Sequence, residues 1–409
     1  MSPTIAQSLP VDASRATLVG RAWVPADAAG TVAGPRVFAL RGARLVDIGR
    51  HAPTMAQLLA HPDAVGIARD APGEDLGALG EWLEGTVAHG PDPAHPHLLA
   101  PNDLQPVKAA GVTFADSMVE RVIEERTRGD AAGAAAIRRL VVDAVGDDLA
   151  RLVPGSEQAM KVKAVLIERN LWSQYLEVGI GPDAEIFTKA PPLASLGTGV
   201  PVGLHPGSVW NNPEPEIVLA ISPRAEVVGA ALGNDVNLRD FEGRSALLLG
   251  KAKDNNGSCA IGPFIRLFDA HYGIADVRAA RIDLRVDGTD GFTMTGVSSM
   301  DRISRDPLDL VGHAMGEHHQ YPDGAMLFCG TLFAPIQDRD APGAGFTHHL
   351  GDTVSIASER LGMLVNRVDL STRIRPWTFG IADLMHSLAA RGLLGSGTGR
   401  PKAAGPARC

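Results

Sequence analysis

A series of short β-branched runs constrains the fold of this chain most strongly. Beyond Ile186 these runs are separated by Gly, Pro and Asp residues, a pattern typical of strands joined by tight turns. The runs are residues 200–202, 217–221, 227–232, 280–286, 292–296 and 353–357. The pattern predicts an α+β protein whose main part is a mixed, mostly antiparallel β-roll.

The first hundred residues have a different pattern. Residues 36–40 and 43–48 are short apolar runs of strand type, whereas residues 54–60 and 75–87 have helical spacing. Together they predict a smaller N-terminal α+β domain over residues 1–100.

A boundary near residue 100 follows from the segment 89–97, where three prolines oppose helix and deny hydrogen bonds to a sheet. The remainder, residues 101–394, is predicted to be the catalytic β-roll domain. Within it, residues from about 116 to 170 have helical spacing and form a predicted lid segment whose interleaved charges face solvent. A further helix is predicted at 305–320, and the Gly, Ala and Pro content of 395–409 predicts a disordered tail.

Composition excludes several classes of partner. The 409 residues carry a formal net charge of −9, so the chain has no basic surface for nucleic acid or an anionic membrane. No apolar run approaches the roughly 20 residues of a transmembrane helix, and the start lacks a signal sequence, which predicts a cytoplasmic protein. The three cysteines include no Cys-x-x-Cys pair, which argues against a disulfide framework and a thiolate zinc site.

Two glutamates separated by one residue, Glu214 and Glu216, indicate a metal site. On a β-strand, residues i and i+2 share a face and lie about 6.6 Å apart along it, so both carboxylates can converge on one cation. Asp235 follows downstream, and neither cysteine nor histidine is near these three carboxylates in the sequence. This donor set favours Mg²⁺, Mn²⁺ or Ca²⁺ over Zn²⁺.

The order of the motifs around these carboxylates identifies a family resemblance. The motifs are Pro-Glu-Pro-Glu at 213–216, Asn-Asp-Val-Asn-Leu-Arg-Asp at 234–240, Gly-Pro at 262–263 and Cys-Gly-Thr at 329–331. With these motifs in this order, the chain resembles the fumarylacetoacetate hydrolase superfamily over residues from about 110 to 370. The resemblance implies a fumarylacetoacetase C-terminal-like fold in which Glu214, Glu216 and Asp235 bind Mg²⁺ or Mn²⁺.

The resemblance also implies the residues that handle substrate. Three carboxylates around a divalent ion leave a charge of about −1, so an anionic substrate requires a nearby cation. Lys253 stands at the family's active-site lysine, and Lys251 competes with it because both would share a face of one strand. Lys189, at the family's Phe-x-Lys position, and Thr331, in the Cys-Gly-Thr motif, are expected to bind substrate.

The chain departs from the family pattern at residues 113–120. Hydrolases and decarboxylases of the superfamily resemble Asn-Tyr-x-x-His-x-x-Glu there, with a histidine and a glutamate that activate water. Ser117 occupies the histidine position, and a neutral hydroxyl is not a useful base at pH 7. Glu120 keeps the glutamate position, so Glu120 is expected to be catalytic and Ser117 to contact substrate, unless Glu120 only pairs with a neighbouring arginine.

These features together predict a reaction. A 2-keto acid can chelate a metal ion through its carboxylate and keto oxygens, and the ion then stabilises the enolate formed when a C3 proton leaves. The segments 110–115, 118–126 and 252–268 resemble the sugar-acid dehydratase branch of the superfamily. This implies removal of water from a 2-keto-3-deoxy-pentonate to give 2-oxoglutarate semialdehyde, with Lys253 and Glu120 as acid-base candidates. The family's habit implies a homodimer or homotetramer.

Two alternatives stay open at this point. A metal-dependent acylpyruvate hydrolase or oxaloacetate decarboxylase would need a substitute histidine, and His205, His318 and His319 are the candidates. His205 lies in a predicted turn, and the other two close the predicted helix at 305–320. A non-catalytic sugar-acid binding protein would require a damaged metal triad, whereas all three carboxylates are present.

Overall fold

Two β-sheets carry the fold in the part of the chain that the structure describes. The computed structural model describes residues 4–114, 118, 121–122, 125–126, 152–168, 172–333, 335, 337–343 and 345–394. Much of the predicted lid segment and all of the predicted disordered tail lie outside these residues.

The strands and helices are numbered in chain order. The strands are β1 Leu18–Val24, β2 Gly34–Arg41, β3 Arg44–Asp47, β4 Glu74–Ala78, β5 His97–Leu99, β6 Val107–Gly111, β7 Glu185–Ala190, β8 Pro201–Leu204, β9 Asn211–Asn212, β10 Pro215–Ile221, β11 Val227–Asp235, β12 Asn237–Leu238, β13 Cys259–Leu267, β14 Arg281–Asp287, β15 Thr293–Ser299, β16 Ala325–Phe328, β17 Thr353–Ser358 and β18 Gly362–Leu370. The helices are α1 Ile5–Ser8, α2 Met55–Ala60, α3 Ala64–Asp70, α4 Leu79–His89, α5 Glu157–Glu168, α6 Gln174–Ile180, α7 Arg239–Glu242, α8 Leu249–Lys253, α9 Ile274–Arg278, α10 Pro307–Ala314 and α11 Ile381–Ala390.

The larger sheet has the order β4-β3-β2-β1-β13-β11-β10-β16-β6-β7, with β5 added beside β1. The smaller sheet has the order β15-β14-β17-β18-β8. The pairs β16 with β6 and β18 with β8 are parallel, and the other pairs within these two sheets are antiparallel. The predicted α+β class with mixed, mostly antiparallel sheets is therefore confirmed.

Strand β10 shows how the core is divided. Its residues alternate between two apolar clusters, because successive side chains of a strand point to opposite faces. Ile217 and Leu219 pack into a cluster shared with strands of the smaller sheet. Val218 and Ala220 pack into a second cluster with helices α2 and α3. The strand that begins beside Glu214 is thus buried on both faces, and this gives the candidate site a rigid base.

The N-terminal strands belong to the same sheet as the catalytic strands. Strand β1 pairs antiparallel with β13, with Leu18 opposite Arg266 and Val19 opposite Ile265. Beyond β1, strands β2, β3 and β4 continue the sheet. The domain division at residue 100 stays a prediction, and hydrogen bonds of the sheet cross it.

Among the described residues, no helix combines the length and the apolar character needed to cross a bilayer.

Candidate active site

The predicted metal triad is assembled where strands β10 and β11 meet. Glu214 immediately precedes β10, and Glu216 is the second residue of that strand and pairs with Gly233 of β11. Asp235 is the last residue of β11. The backbone N–H of Asp235 donates to the carbonyl of Glu214, 3.1 Å away, which holds the two residues side by side. One carboxylate oxygen from each of the three lies within 4.8 Å of the others, and all three residues are buried.

Both carboxylate oxygens of Glu214 are engaged by cations or amide groups. Oε1 accepts from Arg121 Nη2 at 3.0 Å and from Asn237 Nδ2 at 2.9 Å. Oε2 accepts from Lys253 Nζ at 2.8 Å. The surrounding donors therefore fix the orientation of this carboxylate.

Asp235 lies between two lysines. Lys253 Nζ donates to its Oδ2 at 3.2 Å, and Lys189 Nζ lies 2.6 Å from Oδ1 in an ion pair that lacks hydrogen-bond alignment. Burial acts to raise the pKa of Asp235, but the two ammonium groups outweigh burial, and the pKa is lowered. Asp235 is accordingly held as a carboxylate.

The negative charge of Glu216 is neutralised less by its neighbours than the charges of Glu214 and Asp235 are. Its Oε2 accepts from the backbone N–H of Gly330 at 2.6 Å. Burial, followed by repulsion from Asp235 and Glu214, raises the pKa of Glu216 well above its usual value. Glu216 is therefore the carboxylate of the triad that its direct partners neutralise least, an arrangement that favours binding of a cation.

Lys253, rather than Lys251, enters the site. Both lie on helix α8 rather than on the strand that the sequence suggested, so the expectation that they share a face was wrong. Lys253 is 2% exposed, whereas Lys251 is exposed and lies over the ring of Phe241. The helical backbone turns residues two apart to different sides, and this separates the two lysines.

Lys189 lies behind the triad. Its side chain is fully buried and does not line the cavity, and its Nζ donates to the carbonyls of Lys253 at 2.8 Å and Val236 at 3.2 Å. Together with the contact to Asp235, these partners place the ammonium where it supports the ligands and the backbone around them. The predicted direct contact between Lys189 and substrate has no support in this position.

Glu214 belongs to a closed ring of ion pairs. Two other members of the ring, Arg121 and Glu242, are not among the site residues predicted from the sequence. Arg121 Nη1 pairs with Glu242 Oε2 while its Nη2 pairs with Glu214. Lys253 Nζ pairs with Glu214 and lies 3.2 Å from Glu242 Oε1. Arg121 belongs to the charged stretch that was expected to face solvent, but it lines the cavity.

Glu185 is a further cavity residue that was not assigned from sequence. It begins β7 opposite Gly111 of β6, and its carboxylate lies over the Gly111 Cα, where a Cβ would collide with it. Burial, followed by opposing contributions from nearby charges, raises the pKa of Glu185. The two-residue period of a strand places Glu185 and Phe187 on one face of β7, and both line the cavity. The register of β7 against β6 shifts between Thr188 and Ala190, so Lys189 does not continue this face.

The remaining predicted contacts divide into two groups. Thr331 lines the cavity and is 7% exposed, so it is placed where a substrate can reach it. Ser117 and Glu120 lie outside the described residues, and their predicted roles stay predictions.

The cavity bounded by these residues has a volume of about 820 Å³ including its open mouth. All thirteen histidines of the chain lie within the described residues, and none lines this cavity. His205 packs on Phe241 outside it, and His318 and His319 are exposed.

The donor set fits a hard divalent cation. Three buried carboxylates supply only oxygen ligands, which suits Mg²⁺ or Mn²⁺. In addition, the buried Oδ1 of Asp235 accepts no hydrogen bond. Glu214, Glu216 and Asp235 could therefore hold the predicted ion.

Comparison with known families confirms the predicted family. Residues 182–369 match the family described as fumarylacetoacetate (FAA) hydrolase C-terminal. This span contains the metal triad, both buried lysines, Glu185 and Glu242. The chain thus carries a domain of the fumarylacetoacetate hydrolase family.

Three relatives are dehydratases by name. The chain is 25% identical over 303 residues to a probable 2-keto-3-deoxyxylonate dehydratase of Haloferax volcanii, covering 67% of this chain and 99% of the relative. It is 26% identical over 190 residues to a 2-dehydro-3-deoxy-D-arabinonate dehydratase of Saccharolobus solfataricus, covering 46% of this chain and 60% of the relative. A solved 2-keto-3-deoxy-D-arabinonate dehydratase, complexed with magnesium and 2,5-dioxopentanoate, has a TM-score of 0.59 at 17% identity, over 86% of this chain and 99% of that one. At this identity the structural likeness shows the fold.

Proposed function

We propose that this chain, with its fumarylacetoacetate hydrolase family domain, is a metal-dependent dehydratase. Its substrate is a 2-keto-3-deoxy-pentonate and its product is 2-oxoglutarate semialdehyde, which is 2,5-dioxopentanoate. One observation carries the choice of dehydration over hydrolysis: a carboxyl group of raised pKa lines the cavity, and no histidine does. The names of the two sequence relatives support the same substrate class.

The reaction removes one water and breaks no carbon–carbon bond. A proton leaves C3 and the hydroxyl leaves C4 with a second proton, which forms a double bond between C3 and C4. A proton then leaves C5 while one returns to C3, and the resulting C5 enol loses its hydroxyl proton and gains a proton at C4, so that C5 becomes the aldehyde. The enzyme therefore needs a group that accepts and returns protons within the cavity. Glu185 has this property, because its raised pKa brings its two protonation states closer together in free energy near neutral pH.

Lys253 is better suited to stabilise negative charge than to remove a proton. Burial lowers the pKa of a lysine, but Asp235 and Glu214 more than offset that effect here, and the pKa of Lys253 is raised. Its ammonium group is therefore charged at neutral pH. We assign it to the substrate carboxylate or to the oxygen on which enolate charge develops.

Glu214, Glu216 and Asp235 would hold the metal ion. When bound, Mg²⁺ supplies Lewis-acid stabilisation of the negative charge that develops next to the keto group. Lys189 keeps Asp235 ionised and in place for this role. Thr331 and Gly330 form the wall beside Glu216.

The test incubates purified protein and MgCl₂ with each C4 epimer of 2-keto-3-deoxypentonate and measures the semialdehyde product. Acetylpyruvate and oxaloacetate are assayed in parallel. We expect turnover of at least one epimer and none of the two other acids. Cleavage of acetylpyruvate without semialdehyde formation would contradict the proposal and favour a hydrolase.

The role of Glu185 is tested by Glu185→Gln, which keeps the shape of the side chain. Loss of a general acid-base group lowers kcat by about 10²–10⁴-fold. Glu226→Gln, which removes an exposed carboxylate paired with Arg224, is the matched control and should keep full activity. Glu120→Gln is measured alongside, and full turnover of that variant would remove Glu120 from the chemistry.

The predicted homodimer or homotetramer and the predicted cytoplasmic location are carried forward as predictions. Light scattering coupled to size-exclusion chromatography gives the oligomeric state directly.

A further inference from the structure

Lys253 contacts one carboxylate that the metal triad does not account for. Its Nζ lies 2.8 Å from Glu214 Oε2, 3.2 Å from Asp235 Oδ2 and 3.2 Å from Glu242 Oε1. Glu214 and Asp235 belong to the triad, whereas Glu242 does not. The ammonium group is thus shared between two metal-binding carboxylates and one other.

A divalent cation competes with Lys253 for the same oxygens. Glu214 Oε2 and Asp235 Oδ2 both contact Lys253, and the other oxygen of each contacts Arg121 or Lys189. Two cations that contact the same pair of carboxylates repel each other strongly in a buried site. Binding of the metal must therefore weaken at least one contact between Lys253 and the triad.

Glu242 is built to keep its position during that exchange. It ends helix α7, is 4% exposed, and its second oxygen pairs with Arg121. The hydroxyl of Tyr175 lies 3.5 Å from its backbone carbonyl. Within the described residues Oε1 accepts no hydrogen bond, and it forms an ion pair with the ammonium group of Lys253, 3.2 Å away.

We propose that Glu242 is a positioning residue that retains the Lys253 ammonium in the cavity when the triad holds a divalent cation. The inference rests on the metal site of the proposed function and deepens it. With Glu242 in place, the ammonium gives up contacts with Glu214 and Asp235 without losing its last buried counter-charge. Without Glu242, metal binding leaves a buried ammonium group with no carboxylate of its own, which is costly.

The experiment measures Mg²⁺ affinity by isothermal titration calorimetry on the full chain after removal of metals. We expect Glu242→Gln to weaken Mg²⁺ binding at least tenfold. Glu242→Asp keeps the charge and should recover most of the Mg²⁺ affinity. This second variant keeps the proposal testable if the glutamine variant folds poorly. Glu226→Gln is the control for loss of one carboxylate and should bind within twofold of the unmodified protein.

A double-mutant cycle separates this role from a general effect of charge. In a Lys253→Met background the ammonium is absent, so adding Glu242→Gln should change the Mg²⁺ affinity by less than threefold. A through-space effect of the Glu242 charge, or an effect transmitted by Arg121, would persist at full size in that background. Persistence of the full effect would overturn the proposal.

Different results refute the metal-dependent function and the role of Glu242. If the unmodified protein binds no Mg²⁺ in the calorimeter, the metal-dependent function fails and this inference fails with it. If the unmodified protein and Glu242→Gln bind Mg²⁺ equally well, the metal site stands and only the role of Glu242 is refuted.

Discussion

The position of the Glu185 carboxylate depends on a missing side chain at Gly111. The two residues are paired across β6 and β7, and the carboxylate covers the Cα of Gly111. A Cβ at this position would lie 2.7 Å from Cδ of Glu185 and closer still to Oε2, whereas real Cβ contacts essentially never fall below 3.0 Å. Gly111→Ala therefore displaces the carboxylate rather than only crowding it.

The expected loss of activity is large and the expected loss of stability is small. The carboxylate is the mobile end of a flexible side chain, and Gly111 does not have a left-handed φ, so the backbone accepts alanine. The side chain must swing by about 1 Å, and a misplacement of that size costs on the order of 10²-fold in rate. We expect kcat to fall by about that factor with little change in the unfolding temperature.

Steady-state measurement of semialdehyde formation at saturating Mg²⁺ gives kcat, and thermal unfolding reports stability. Gly312→Ala on helix α10 is the matched control, because its added Cβ meets no atom within 4 Å. It should keep full activity and gain up to about 1 kcal/mol of helix stability. Full activity of Gly111→Ala would refute the assignment of Glu185 as the proton carrier at this position.

Three further predictions concern the buried charges and the metal. Lys189→Met removes a fully buried partner of Asp235 and should lower the free energy of unfolding in urea by about 3–5 kcal/mol; an unchanged midpoint would contradict this. Burial raises the pKa of Asp352, but hydrogen bonds from Arg339 and His348 lower it to about 2. The resulting stabilisation is complete above the usual pKa of 3.8 and is lost as the pH falls through about 2, so Asp352→Asn should flatten the acid side of the stability curve and cost about 2 kcal/mol at pH 7. Treatment with EDTA should abolish turnover and added Mg²⁺ should restore it, whereas activity retained in EDTA would exclude a metal-dependent reaction.

The metal triad could be predicted from the sequence because its geometry follows from local rules. Glu214 and Glu216 stand at the start of a short β-branched run that is typical of a buried strand, and the antiparallel return of the next run brings Asp235 back beside them. Thr54 likewise marks a helix start, and its side chain caps α2 with Gln57 in a capping box. Such features depend on neighbours in the chain or in one hairpin.

Other parts of the structure depend on contacts between distant segments. Residues 75–87 have helical spacing, yet their first part forms strand β4 because it pairs with β3. The helix predicted at 305–320 ends at Ala314. The sequence predicts a solvent-exposed Arg121, because nothing near this residue in the sequence indicates Glu242, its partner 121 residues away.

The pairing of β1 with β13 limits where this chain can be truncated. Strand β13 is buried along its whole length, and it directly follows the loop after Lys253. A fragment that starts at residue 101 would lack β1 and would leave β13 without its strand partner at Ile265 and Arg266, and an unpaired strand edge is the kind of surface through which sheets of separate molecules join. We therefore expect the N-terminal hundred residues to protect against self-association, and we expect a shortened catalytic fragment to aggregate even if its active-site residues are intact.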